Sequence, residues 1–342
     1  MIQTSVQSEP VVVPGRPSGR PAARSFVIHA GLTVLMLVTQ IVTLLPAVLL
    51  HCGVRLGRRA AWFALALGVA VAAILTALQV AAGPLPRSDY AYLGALILCI
   101  ALPTMAVLPM VQRGEAFGRV LLVALLFAVA GLFIAEAGSR TLLSFSLYSD
   151  QMDVTRKTGA AFADMYAKIG IEASSAAKKL TDVAVFCTPG FRVIDITVVL
   201  LLSILLFGRL RGWRAAVEGG DVALATPYLF RNLAFPDWLL FAFVVGGVSP
   251  LMKGAVQHVG ANILAVVIFL YLVQGLAIFR SLLVTFGAGL GASLLAYALL
   301  AVLTFAGGVA PLLLSMAGLF DSFFDFRHFM KRKDDSDESH SD

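Results

Sequence analysis

Four side chains in this largely apolar chain could bind or react at membrane depth: Glu136, Asn262, Tyr271 and Gln274. An ionisable group in hydrocarbon costs about 3 kcal/mol on insertion scales, so such a residue calls for a partner or a ligand. Glu136 closes an apolar run in FIAEAGSR, where it either pairs with Arg140 one helical turn on or lines a binding cavity. Tyr271 and Gln274 are three residues apart and share a helix face, whereas Asn262 points about 120° from Gln274 at roughly 100° per residue. Interhelical hydrogen bonding and pocket lining are the two roles open to them. Asp195 reads as the opening of a helix whose dipole welcomes a carboxylate, and Lys253 as a side chain that snorkels to the interface.

Catalysis has less to work with. The sequence contains no phosphate-binding glycine loop, HExxH, CxxC or GxSxG, and His29, His51, His258, His328 and His340 are scattered. Cys52, Cys99 and Cys187 have neither metal nor disulfide spacing. No catalytic residue, cofactor or metal ligand is therefore expected, and the chain does not read as an enzyme.

The elements that must position these residues follow from composition. Of 342 residues 59% are hydrophobic and 13% charged, against about 25% charged in soluble domains. That excludes a water-soluble globule, and the net charge of +6 comes from Lys and Arg set between apolar runs, not from a nucleic-acid-binding surface. Apolar length predicts spans near 60–82, 91–111, 119–137, 193–209, 236–257, 260–280, 282–305 and 309–326, the last two divided at Gly307-Gly308-Val309-Ala310-Pro311. The run 26–50 either crosses once or doubles back around Thr43 to Pro46. Doubling back puts the short basic loops on the cytoplasmic side, and it is the favoured reading.

The expected fold is all-α: a polytopic membrane bundle of about eight transmembrane helices, a re-entrant or hairpinned N-terminal element and an amphipathic external helical loop over about 138–192. A disordered basic tail (1–25) precedes the membrane domain (26–326), and a charged tail (327–342) follows it. The location implied is a bacterial cytoplasmic membrane with both termini cytoplasmic. In the long loop, Met152, Phe162, Met165, Tyr166 and Ile169 fall roughly on one stripe, which could lie in the interface, cap an external mouth or bind a partner. Gly287 and Gly291 have helix-packing spacing, Gly246-Gly247 with Ser249 lets a helix approach, and Pro103, Pro109 and Pro250 interrupt spans.

Two stretches are more specific than hydropathy. TPYLFRNLAFPDWLLFAFVVGG at 226–247 is followed by NILAVVIFLYLVQGLAIFR at 262–280, and MAGLFDSFFDFRHFMKR lies at 316–332. Together they resemble the YybS-like bacterial membrane family, a domain of unknown function, best over 185–332. The resemblance implies a distant likeness to the S components of energy-coupling-factor transporters, which bind small molecules and work with separate ATPase subunits. It carries over no binding residue.

Read from the residues alone, the same stretches are anchors or docking surfaces. Arg231, Asn232, Asp237 and Trp238 suit a helix entering from the cytoplasmic interface, with Pro236 in its first turn. Asp321 and Asp325 are about one turn apart and followed by Arg327, so a cation such as Arg231 could bridge them. The expected function is a small-molecule-binding or transport component; the alternative is a non-transporting scaffold or regulatory subunit of an envelope complex. The expected partners are the lipid bilayer, a small-molecule ligand and a membrane-protein or ATPase subunit, with no nucleic acid.

Overall fold

The computed structural model describes residues 19–324 apart from 40, 42, 83–86, 169–173, 218–227 and 308. Helices account for almost all of them, and there is no strand among the described residues. In hydrocarbon every backbone N–H and C=O must be satisfied within the chain, which a helix does locally.

Five helical stretches are long and apolar enough to cross a bilayer. They are α3 (Arg58–Ala82), α4 (Arg87–Leu96) continued through a π-turn at Ile97–Ala101 into α5 (Leu102–Gln112), α6 (Phe117–Leu143), α9 (Thr188–Val217) and α11 (Ala255–Thr285). Their apolar spans run from 22 to 31 residues, about 33–46 Å at 1.5 Å per residue. The expected count of about eight is not reached by helix length. The stretch expected over 236–257 forms α10 (Leu239–Val248) and a 3₁₀ turn (Ser249–Leu251), 10 and 3 residues, about 20 Å in all and short of a ~30 Å core. Gly254 at φ 67° turns the chain there, and α11 takes up residues 255–257. Beyond it, α12 (Leu290–Gly307) and α13 (Val309–Phe324) are bent by 112° at the expected break and count as one further span at most by length and composition.

The N-terminal apolar run is broken into α1 (Gly19–Val38) and α2 (Leu45–Leu56), with Pro46 in the first turn of α2. The imidazoles of His29 and His51 stack at 5.3 Å, whereas 22 residues of straight helix would separate them by about 33 Å. The chain therefore doubles back between α1 and α2. Around this hairpin, α2, α5, α6 and α9 close a core in which Leu49, Met105, Leu108, Leu121 and Phe207 are fully buried.

At the other end, α11 packs closely on α13. Contacts advance together along the two helices, Ile268 with Ser315, Tyr271 with Gly318 and Gln274 with Asp321, so they run in the same direction and α12 must carry the chain back. Glycines permit this approach: a methyl at Gly275 would strike the Leu314 carbonyl, and one at Gly318 the Tyr271 carbonyl. Gly287 and Gly291, expected to pack, face open space within 4 Å; Gly287 instead turns the chain at φ 65° after α11.

The long loop contains two helices, α7 (Leu147–Lys168) and α8 (Ser174–Phe186), packed on each other. Phe162 and Met165 of the expected stripe stay exposed on α7, and Ile169 lies outside the described residues.

Candidate functional site

A cavity of about 250 Å³ lies between α4–α5 and α9. One wall is Tyr92, Ala95, Leu96, Cys99 and Ile100; the other is Arg192, Asp195, Ile196 and Val199. Each set follows helical spacing, so each is one stripe of its helix. The π-turn shapes the first wall. Pro103 cannot donate to the Cys99 carbonyl four residues back and its ring crowds it, so the backbone widens and the Leu102 N–H bonds to Ile97 O. On the outer side of that turn Gly131 lets α6 press against the Leu98 carbonyl.

The polar groups of the cavity are unusual in their pairing. Arg192 and Asp195 are one turn apart on α9, yet no ion pair joins them, and neither side chain makes a hydrogen bond or ion pair among the described residues. Arg192 acts electrostatically on Tyr92, Cys99 and Asp195, and Asp150 acts on Tyr92 more strongly. Asp195 is not the helix-opening residue the sequence suggested. Because α9 begins at Thr188, with Pro189 and Gly190 inside its first turn, Asp195 sits two turns in, beyond the reach of the terminal dipole.

Tyr92 also ties the cavity to the helix above it, donating a 2.6 Å hydrogen bond to Asp150 Oδ2 of α7. Glu136 fixes the turn that leads into α7: it accepts from Arg140 Nε, from Ser146 Oγ at 2.7 Å and from the Tyr148 N–H at 3.1 Å. Glu136 is thus the clasp of the α6–α7 corner and does not line the cavity. Among the described residues no group of three or more His, Cys, Asp or Glu is placed to hold a metal ion.

Asn262 and Gln274 go to different places, as their angular separation requires. Asn262 holds the α8–α9 corner: Oδ1 accepts from the Gly190 N–H at 2.7 Å, and Nδ2 donates to His258 O at 2.7 Å and Phe186 O at 3.3 Å. Gln274, almost fully buried, accepts from the Phe235 N–H at 3.1 Å and donates to Asp321 Oδ2 at 3.2 Å. Tyr271 packs its ring edge-on against Phe243 in the same region. The stretches that carried the family resemblance therefore meet at one polar node.

Around that node the extended segment after Tyr228 is tucked inward. Tyr228 lies buried against Phe117 and Phe207, and Gly118 admits the Ala234 carbonyl. Arg231 and Asn232 belong to an exposed 3₁₀ turn (Phe230–Asn232), and the Gln274 amide engages the Asp321 carboxylate. Pro236 lies before the first turn of α10, not in it; Asp237 and Trp238 form the exposed turn that enters it. Asp325 and Arg327 lie outside the described residues.

The cavity itself was not foreseen. Tyr92, Cys99 and Arg192 are its unanticipated members, and the available signal was two stripes of i, i+3, i+4, i+7 spacing, each with a polar residue toward its N-terminal end.

Over residues 23–322 the chain matches the family described as "Predicted membrane protein (DUF2232)". The match begins in α1 and ends in α13, so it takes in the N-terminal half and the cavity as well as the node. Neither the comparison with curated proteins nor that with solved structures gives a match, and nothing in them extends the likeness to S components.

Proposed function

The chain belongs to the DUF2232 family of predicted membrane proteins, and from that premise we propose that it is a small-molecule-binding component of a membrane transport system, with its ligand held between α4–α5 and α9. The observation that carries this reading is the unpaired Arg192 and Asp195 facing one cavity. Arg192 is half-buried and Asp195 exposed, so both charged heads remain available to a polar ligand in the cavity. The apolar floor of Leu96, Ile100 and Val199 fits the usual build of a binding site, mostly apolar with few polar groups. The sequence holds no ATP-binding loop, so if transport is active its energy comes from an ion gradient or from a separate subunit.

The same proposal places the chain in a bacterial cytoplasmic membrane with about eight crossings, the short α10 making its crossing together with the inward-tucked extended segment before it, and with the N-terminal hairpin and both termini cytoplasmic. The shared direction of α11 and α13 supports α12 as a return crossing, and the hairpin of α1 and α2 supports an even count. The test of function is thermal unfolding of the detergent-solubilised protein against pools of small metabolites. At least one pool raises the midpoint, and Val199→Phe, which fills the cavity, removes the response. Unchanged midpoints with every pool contradict the proposal.

A second reading, a scaffold or regulatory subunit, is favoured by the α7–α8 pair, which exposes Val154, Phe162, Leu180 and Val183. A stoichiometric protein that co-purifies with the full chain and is lost with Phe162→Ser and Leu180→Ser supports it.

A further inference from the structure

We propose that the cavity between α4–α5 and α9 takes a ligand that carries an oxyanion and an ammonium a few bonds apart, an amino-acid-sized zwitterion. This rests on the binding role just proposed and adds the chemical class.

The first argument is charge. Arg192 and Asp195 stand at i and i+3 on α9 and line the same cavity. Side chains at that spacing are neighbours, with Cβ atoms about 5–6 Å apart, and oppositely charged pairs there commonly bond each other. Elsewhere in this protein they do so, Asp153 with Arg156 at i, i+3 and Glu115 with Arg119 at i, i+4. Arg192 and Asp195 do not, and neither finds another partner among the described residues. A cation and an anion that line one cavity without bonding each other can each take the opposite charge of a single ligand. The guanidinium fork suits a carboxylate or phosphate, and the carboxylate accepts from an ammonium.

The second argument is size. A volume of about 250 Å³ corresponds to about eight waters at ~30 Å³ each, room for roughly eight to ten non-hydrogen atoms. This falls below the ~300 Å³ at which drug-sized pockets begin. The third is the lining: Leu96, Ile100, Ile196 and Val199 leave a short apolar side chain somewhere to go, whereas the Tyr92 hydroxyl is already engaged by Asp150. A second polar group on the ligand would gain little there.

The same chemistry is present in a free amino acid and in a phosphatidylethanolamine headgroup, and the experiment separates the two sources. The full chain is purified in detergent, and binding of glycine, L-alanine, L-valine and phosphoethanolamine is measured by thermal shift and calorimetry. Acetate and methylamine, which carry one charge each, serve as controls. The zwitterions are expected to raise the unfolding midpoint, with the single-charge probes at least about tenfold weaker. Arg192→Gln and Asp195→Asn are each expected to weaken zwitterion binding by at least about tenfold, while elution and the ligand-free midpoint report that each variant is folded.

In a parallel arm the chain is placed in nanodiscs of phosphatidylcholine alone or with phosphatidylethanolamine. Loss of amino-acid binding only in the latter identifies the headgroup as the occupant; equal binding in both identifies a free solute. Both outcomes support the inference. Equal stabilisation by acetate or methylamine, or zwitterion binding unchanged in both variants, overturns the ligand class and leaves the binding site standing. No response to any probe in detergent or in either nanodisc overturns the class, and no response to metabolite pools as well overturns the binding role with it.

Discussion

Gln274 donates a 3.2 Å hydrogen bond to Asp321 across the crossing of α11 and α13, and its carbonyl accepts from the Phe235 N–H. One buried amide therefore joins two helices that run in the same direction to the segment entering α10. Gln274→Leu leaves a buried N–H and a carboxylate oxygen without that amide. A loss of about 2–3 kcal/mol is expected, measured as a lower midpoint in denaturant unfolding in detergent.

Close packing at the same crossing predicts a contrast among glycines. Gly275→Ala and Gly318→Ala each drive a methyl into a backbone carbonyl of the facing helix, at a cost of about 2 kcal/mol or more. Gly291→Ala meets open space on α12 and should cost nothing, because alanine is the better helix former. Equal losses from Gly275→Ala and Gly291→Ala would restore the packing role that spacing alone suggested.

Asn262 spends Oδ1 and Nδ2 on the α8–α9 corner. Asn262→Leu should therefore destabilise by about 2 kcal/mol through the orphaned Gly190 N–H and Phe186 carbonyl. Hydrogen exchange at 186–192 should rise while that at 268–278 stays unchanged.

Tyr92→Phe removes the hydroxyl that holds Asp150. A hydrogen bond to a carboxylate is worth about 1.5 kcal/mol, so exchange over 147–155 should quicken by about tenfold. Glu136 continues to hold the α6–α7 corner, so exchange at 140–146 should be unaffected.

Periodicity and apolar length made several of these elements legible. The N-terminal break appears between α1 and α2, with Pro46 at the start of α2; the glycine-rich break separates α12 from α13, and the polar loop forms α7 and α8. Glu136 and Arg140 pair as their four-residue spacing suggests. Hydropathy failed at α10 because it sums apolar residues without regard to backbone direction: Pro250 and Gly254 end the helix inside an apolar run. Cavity and node were hidden for another reason. Cys99 and Arg192, or Gly275 and Gly318, come together only through tertiary packing, and a stripe on one helix does not say which other stripe it meets. Asp195 was misplaced because Thr188-Pro189-Gly190 reads as a stop, whereas proline in a first turn starts a helix.

The claim that the cavity between α4–α5 and α9 admits a small solute is tested most directly at Cys99, which lines it, against Cys52, which is equally buried in the core. Modification of the folded protein by a small neutral methanethiosulfonate, followed thiol by thiol by mass spectrometry, should label Cys99 at least about tenfold faster than Cys52 and slow when a stabilising ligand is added. Equal, negligible rates at the two thiols would contradict it.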